Sequence, residues 1–213
     1  MTEMRIDLHV HTTPRSRCSV LDPEEAIRTA RDRGLDGICF TEHNSLWEAR
    51  ALKELADRHS FPVFQGVEVD TPLGHVLVYG MEKLPARDLD IRRFRQEVEE
   101  AGGIMVSAHP FRRPIYATGG YGVWSSSTIP VEVAARREVF RWVDAIEIST
   151  GCGREEEADL VLRVSRLLGL PILGGSDAHR PEEVGRSITL FEEALPSEVD
   201  LVQALKDGRM HYA

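Results

Sequence analysis

Short apolar runs with the alternation of strands recur along the chain, and amphipathic patterns of helical period separate them. RIDLHV (5–10) precedes PEEAIRTARDRG (23–34), LDGICFTEH (35–43) precedes LWEARALKELADRH (46–59), and FPVFQGVEVD (61–70) follows. This is the rhythm of successive βα units. It continues through HVLVYG (75–80), a helix from Asp88 to Ala101, GIMVSAHP (103–110), a helix near Val131 to Trp142, and DAIEIST (144–150). A helix around Glu155 to Leu168, then LPILGGSDAH (170–179), SITLF (187–191) and a last helix from Ser197 to Asp207, ending at Gly208, complete the series. Seven or eight strands alternating with helices predict a single α/β domain over 1–213. A full eight-unit barrel takes about 250 residues, so the expected form is a compact or incomplete (β/α) barrel. The segment 112–130, rich in Gly, Ser and aromatics, reads as a long loop with a functional role.

Composition narrows the classes. With 213 residues, 42% of them hydrophobic, one substantial core is within reach. No run nears the roughly 18 apolar residues of a membrane span, and MTEMRID lacks the order of a secretory signal, so the expected compartment is the cytoplasm. Cys18, Cys39 and Cys152 form no CxxC pair and are expected as reduced thiols. A net charge of −9 argues against a general nucleic-acid surface, which would need clustered Lys and Arg.

The candidate chemistry lies in the histidines. His9, His11, His43, His109 and His179 fall at or just past the C-terminal ends of predicted strands, which converge on one mouth of a parallel barrel. In DLHVHT (7–12), period two puts Asp7, His9 and His11 on one face and Leu8 and Val10 on the other, under helices. Two imidazoles at one strand end can converge on a cation. Glu68 and Asp177, also at strand ends, add carboxylates; gathered without a cation, these groups would suffer desolvation and repulsion. Nitrogen and oxygen donors without thiolates fit Zn, Mn or Fe. His59 and His211 read as ordinary surface or core residues.

Four motifs in order, DLHVHT (7–12), TEHN (41–44) with GVEVD (66–70), SAHP (107–110) and GSDAH (175–179), resemble those of the PHP family, named for polymerase and histidinol phosphatase proteins. The resemblance spans nearly the whole chain. It implies a distorted (β/α)7 TIM-like barrel carrying two or three divalent metal ions at the strand C-termini, and hydrolysis of phosphoric esters. It assigns His9, His11, Glu68 and Asp177 to a first metal, with Glu68 bridging to a second completed by His109 and His75. His75 has a rival reading as a strand residue bonded to its neighbours. A third metal would use His43 and His179. The family often supplies a further His or Asp shortly after HxH; here the candidates are Cys18, as a thiolate, and Asp22, whose alternative is to cap the helix beginning at Pro23.

Such a site predicts a metal-dependent phosphoesterase acting on a small-molecule phosphate ester, a nucleotide or a sugar or amino-alcohol phosphate. Ions held by only two carboxylates leave a positive excess that favours a phosphate monoester, and a metal-bridging water would attack phosphorus. Asp177 and His179 are the catalytic candidates, His179 as a proton donor to the leaving oxygen if it does not ligate. Asp7 could orient an imidazole or make a structural hydrogen bond, and Glu147 could face the pocket. Arg112 and Arg113 are placed to grip phosphate; Arg15, Arg17 and Arg180 follow the same logic more weakly. Tyr116, Tyr121 and Trp124 could stack on a substrate or pack the loop. The alternatives are a nuclease-type phosphodiesterase acting on DNA, a non-catalytic metal-binding module, and an amide or ring hydrolase. Oligomeric state and substrate are not legible.

Overall fold

The computed structural model describes residues 3–84, 90–112, 115–116, 123–124, 128–148 and 155–213. In chain order the elements are β1 (Met4–Val10), α1 (Pro23–Asp32), β2 (Gly37–Phe40), α2 (Ala49–His59), β3 (Val63–Thr71), β4 (Gly74–Tyr79), α3 (Ile91–Glu100) and β5 (Ile104–Ser107). Then come β6 (Ile115–Tyr116), β7 (Val123–Trp124), α4 (Val131–Ala134), a 3₁₀ turn (Glu138–Arg141), β8 (Ala145–Ile148), α5 (Glu155–Leu168) and β9 (Ile172–Gly174). A second 3₁₀ turn (Pro181–Glu183), β10 (Thr189–Phe191), α6 (Glu198–Asp207) and β11 (Met210–Tyr212) end the series.

Nine strands form one sheet in the order β11-β10-β1-β2-β3-β4-β5-β8-β9. The sheet curls into a nearly closed barrel. Ile6 and Leu8 of β1 share a buried cluster with Val106 of β5, Ala145 of β8 and Leu173 of β9, strands that a flat sheet would hold far apart. Leu201 and Leu205 of α6 join the same cluster. The two ends of the sheet meet through Thr189, whose Oγ1 accepts from Gly174 N at 2.9 Å and donates to Gly174 O at 2.9 Å. A Cβ at Gly174 would stand 2.2 Å from Ile188 O, so only glycine permits this approach. Outside the barrel, α1 and α2 bury Ile27, Ala30, Leu52 and Leu55 against Ile38 and Phe40, and α3 and α5 bury Phe94, Val98, Leu160 and Val164 against Val76, Met105 and Ile146.

The expected architecture holds, with three departures. The sheet is mixed rather than parallel: β3 and β4 pair antiparallel from Thr71↔Gly74 onward, because the two residues between them cannot make the long crossover a parallel pair needs. β10 also runs antiparallel to β1 and to β11. The expected helix over 131–142 is broken at Arg137, whose backbone is extended (φ −56, ψ 131). At about 100° per residue an unbroken helix would turn Ala134 and Val139 some 140° apart; the break lets both sit in one core cluster. Finally, Leu8 does not share the outward role expected with Val10. The β1–β2 register shifts between Asp7 and Val10, so Leu8 joins the inner cluster while Val10 packs with Leu21 and Ile27.

The helix expected from Asp88 starts at Ile91; Asp90 caps it by accepting from Arg92 N and Arg93 N, and 88–89 lie outside the described residues. Of the segment 112–130, β6 and β7 form a two-stranded antiparallel pair. Arg113, Tyr121 and Cys152, and the side chains of Tyr116 and Trp124, lie outside the described residues. No helix among the described residues is long and apolar enough to cross a membrane.

Candidate metal centre

β1 carries two imidazoles into the mouth of the barrel, where His9 and His11 are fully buried with their Nε2 atoms 2.9 Å apart. Their other ring nitrogens are committed. His9 Nδ1 meets Glu147 Oε1 at 2.6 Å, and a carboxylate can only accept, so the proton sits on Nδ1. His11 Nδ1 meets Ser16 Oγ at 3.2 Å, and that hydroxyl donates onward to Glu42 Oε2, so it accepts from His11. Both Nε2 lone pairs therefore face each other. Asp177 Oδ1 lies 3.3 Å and 3.0 Å from them, and Glu68 Oε2 lies 3.6 Å and 3.2 Å away. Glu68 Oε2 is buried and makes no well-formed hydrogen bond among the described residues, although His43 Nδ1 lies 3.0 Å from it. Four acceptors converging on one point are mutually repulsive unless a cation stands among them, so the residues present fit a divalent ion.

The same logic extends outward from Glu68. Its Oε1 takes His75 Nδ1 at 2.8 Å and His109 Nε2 at 3.0 Å, and these three form a second group with metal-ligand spacing. His11, His43 and His179 form a third, and His43, Asp70 and His75 a fourth. His75 reaches the mouth because β4 is antiparallel, so its first residues lie beside the C-terminal end of β3, Asp70 opposite His75. His109 and Asp177 adopt positive φ (28 and 52), a backbone state that costs free energy in non-glycine residues and marks where side chains are turned against local preference.

Around His9 and His11 the electrostatics favour positive charge, supplied either by an added proton or by a metal ion that displaces it. Burial lowers the pKa of His9, yet Glu147, Asp177 and Glu68 outweigh it and hold His9 well above the ordinary histidine value. His11 is also raised, by Asp177 and Glu68 against its burial. Glu68 and Asp177 stay far below the usual carboxylate range despite burial, because His9 and the neighbouring imidazoles favour their charged forms. His43 and His179 go the other way: burial and the neighbouring His11 lower both, keeping them neutral and able to ligate.

The structure decides between readings that the sequence left open. Asp7 orients no imidazole. It is fully buried and accepts from Ser176 N (3.0 Å), Ser176 Oγ (2.6 Å), Gly185 N (2.7 Å) and His9 N (3.3 Å). Burial pushes its pKa up to about 6 against those donors. Asp22 is a helix cap, its Oδ1 accepting from Glu24 N at 2.9 Å and Glu25 N at 3.1 Å, and is no ligand. Cys18 Sγ is 3.1 Å from His179 Nε2 at the exposed rim, and burial raises its thiol pKa. Arg112 donates to Asp177 Oδ2, so part of its guanidinium is committed to a ligand carboxylate. Arg15 donates to Leu46 O and lies over the Trp47 ring. Glu24 is the carboxylate nearest His59 and Glu3 the one nearest His211, both away from the cluster.

Two residues gain their roles only in three dimensions. Glu147, on β8, holds His9 Nδ1 with one oxygen and the backbone N of His109 (2.8 Å) with the other, so it sets ligands of two groups at once. Glu42, fully buried, accepts from Thr12 N and Oγ1, Ser16 Oγ and Trp47 Nε1, tying the chain after β1 to that after β2. The only sequence signal for Glu42 was its place inside TEHN.

The PHP domain model matches residues 7–118, more than half of the chain. The chain belongs to the PHP family. A PHP-associated model matches 155–210, the segment that supplies Asp177 and His179. A probable phosphatase of Thermoanaerobacter is 27% identical over 89% of this chain and 83% of its own. Among solved structures, a two-domain protein of Bacteroides vulgatus containing a predicted PHP-like metal-dependent phosphoesterase superposes with TM-score 0.70 at 18% identity, over 100% of this chain and 65% of that one. PsfC of Pseudomonas syringae superposes with TM-score 0.67 at 20% identity, over 100% and 92%. At such identities the structural likeness speaks for the fold.

Proposed function

We propose that this PHP-family chain hydrolyses the phosphate ester of a small molecule, a nucleotide or a sugar or amino-alcohol phosphate, with two or three divalent ions of Zn, Mn or Fe. The observation that carries the reading is Glu68: one buried carboxylate shared by two candidate ligand groups, with Oε2 set among His9, His11 and His43 without a well-formed hydrogen bond among the described residues. His9, His11, Glu68 and Asp177 would hold one ion, Glu68, His75 and His109 a second, and His43 and His179 with His11 a third. Bound there, divalent ions supply Lewis acidity toward phosphoryl oxygens and an acidified water as nucleophile. The chain's own part is positioning. Glu147 and Ser16 fix the tautomers of His9 and His11, so both present lone pairs to the same point. His179 Nδ1 donates to Asp177 O at 2.8 Å, which leaves the Nε2 lone pair at the rim, to ligate or, once it has taken up a proton, to pass that proton to the leaving oxygen. Arg112, anchored on Asp177, adds a fixed positive charge beside the cluster.

The charge balance is less positive than two carboxylates imply, since Glu147 is buried against the cluster and Asp70 lies 3.4 Å from His75 Nε2. At the cluster itself this suits a monoester phosphate, whose own charge is modest. The test is phosphate release by purified protein loaded with Mn or Zn, assayed on small phosphomonoesters, nucleotides, single-stranded DNA and amides. Turnover of a small monoester is expected. Degradation of DNA with no small ester hydrolysed would replace this reading by the nuclease one, amide turnover alone by the amide hydrolase, and metal binding without turnover by a non-catalytic module.

A further inference from the structure

Beside the ligand groups lies a cavity of about 140 Å³, lined by Gly74, His75, Ser107, His109, Arg112 and Arg137 among others. None of His9, His11, Glu68 or Asp177 lines it. A group seated there would adjoin His75 and His109 of the second ligand group and lie to one side of the first. Two guanidiniums face this space with unmet capacity. Arg112 commits Nη1 to Asp177, but its Nη2 is buried and has no hydrogen-bond partner. Arg137 has no ion pair or side-chain hydrogen bond among the described residues; it rests 5.8 Å above the Phe111 ring. Burial lowers its pKa, and no carboxylate offsets that. Acids outnumber bases in this chain, 35 to 26, and other arginines find them, as Arg95 finds Asp144. A partly buried guanidinium with no carboxylate beside it gains from an oxyanion that reaches it. Gly74 turns the β3–β4 hairpin at φ 118, a backbone state that favours glycine, and an ideal Cβ there would lie in ordinary contact with Arg137 Nη2, at 3.7 Å.

We propose that this cavity is a subsite for a second anionic group of the substrate, a carboxylate or a phosphate, bound by Arg112 Nη2 and the Arg137 guanidinium. The inference rests on the phosphoesterase reading, in which the reacting phosphate occupies the central cluster. It narrows the substrate class to phosphate esters with an anionic tail.

Arg137 is the residue to test, because changing Arg112 would also disturb Asp177. Metal-loaded wild-type protein and Arg137→Gln are assayed on three esters: propyl phosphate, phosphoglycolate with its carboxylate, and 1,3-propanediol bisphosphate. In wild type, kcat/KM for at least one anionic-tailed ester exceeds that for propyl phosphate by about 10- to 100-fold, the range of a charged hydrogen bond. Which ester gains distinguishes carboxylate from phosphate. In Arg137→Gln the ratio falls at least about tenfold, and Arg137→Lys, which keeps the charge, restores part of it; melting curves of both variants show that they fold. Equal kcat/KM for all three esters in wild type, or a ratio untouched by Arg137→Gln, overturns the inference while leaving the phosphoesterase reading intact. If no ester is turned over, that reading falls by itself, and sulfate decides the subsite. Calorimetric titration must then show weaker sulfate binding by Arg137→Gln than by wild type, and equal affinity overturns the inference.

Discussion

Glu147 touches the cluster only through other groups: an imidazole Nδ1 on one side and the backbone N of His109, itself in a strained conformation, on the other. Its charge should matter more than its shape. Glu147→Gln keeps a similar volume and a carbonyl acceptor but gives up the charge that makes His9 a strong ligand. Metal affinity is expected to fall about 10- to 100-fold, read by titration with Zn or Mn against a chromophoric chelator. An unchanged affinity would show that Glu147 is only a packing residue. Asp7 is the contrasting case, a buried carboxylate that takes four donors and belongs to the scaffold. Asp7→Ala leaves those donors unpaired, and a loss of about 3 kcal/mol or more is expected in denaturant unfolding. The histidines and the two ligand carboxylates could be picked out in the sequence because strand ends carrying such residues are unusual. Glu147 could be noted only as able to face the pocket and Glu42 only as part of TEHN, because what gives them roles is the partners they meet across β1, β2, β5 and β8.

At the scale of elements, the site depends on how strands end. Gly175 follows β9, and a Cβ there would lie 2.5 Å from Glu147 Oε1 and 2.6 Å from His9 Cβ. Gly175→Ala is expected to destabilise the fold by about 1–3 kcal/mol and to weaken metal binding with it, since the groups displaced are a ligand and its support; a variant that melts and binds like wild type would contradict this. The helix start at Asp22 separates two readings that sequence left open. As a cap, Asp22→Ala costs about 1 kcal/mol and leaves the number of bound ions unchanged by elemental analysis; loss of an ion would restore the ligand reading. Most boundaries of the long elements were legible from periodicity. The broken helix at Arg137 and the antiparallel placement of β4 were not, and the second of these is what brings His75 to Glu68.

For the whole molecule, the barrel is closed by its last strands: β10 and β11 from the PHP-associated segment extend the sheet from β1, and Thr189 reaches across to Gly174. We propose that the chain unfolds as one unit, with a single calorimetric transition. Ions that bind only the folded state stabilise it by about 2.7 kcal/mol at a hundredfold excess over Kd. Chelation is then expected to lower the melting temperature by about 5–10 °C, and an unchanged melting point would argue that the ligand groups hold no ion. The sequence by itself determined the βα rhythm, the barrel class and the candidate ligand side chains, because burial periodicity and residue chemistry are local properties of a chain. Only the tertiary structure decided which donors share an oxygen of Glu68, which guanidiniums are left without a carboxylate, and how β4 is turned. Those outcomes depend on distances between residues far apart in the chain, and the curl of the sheet sets such distances.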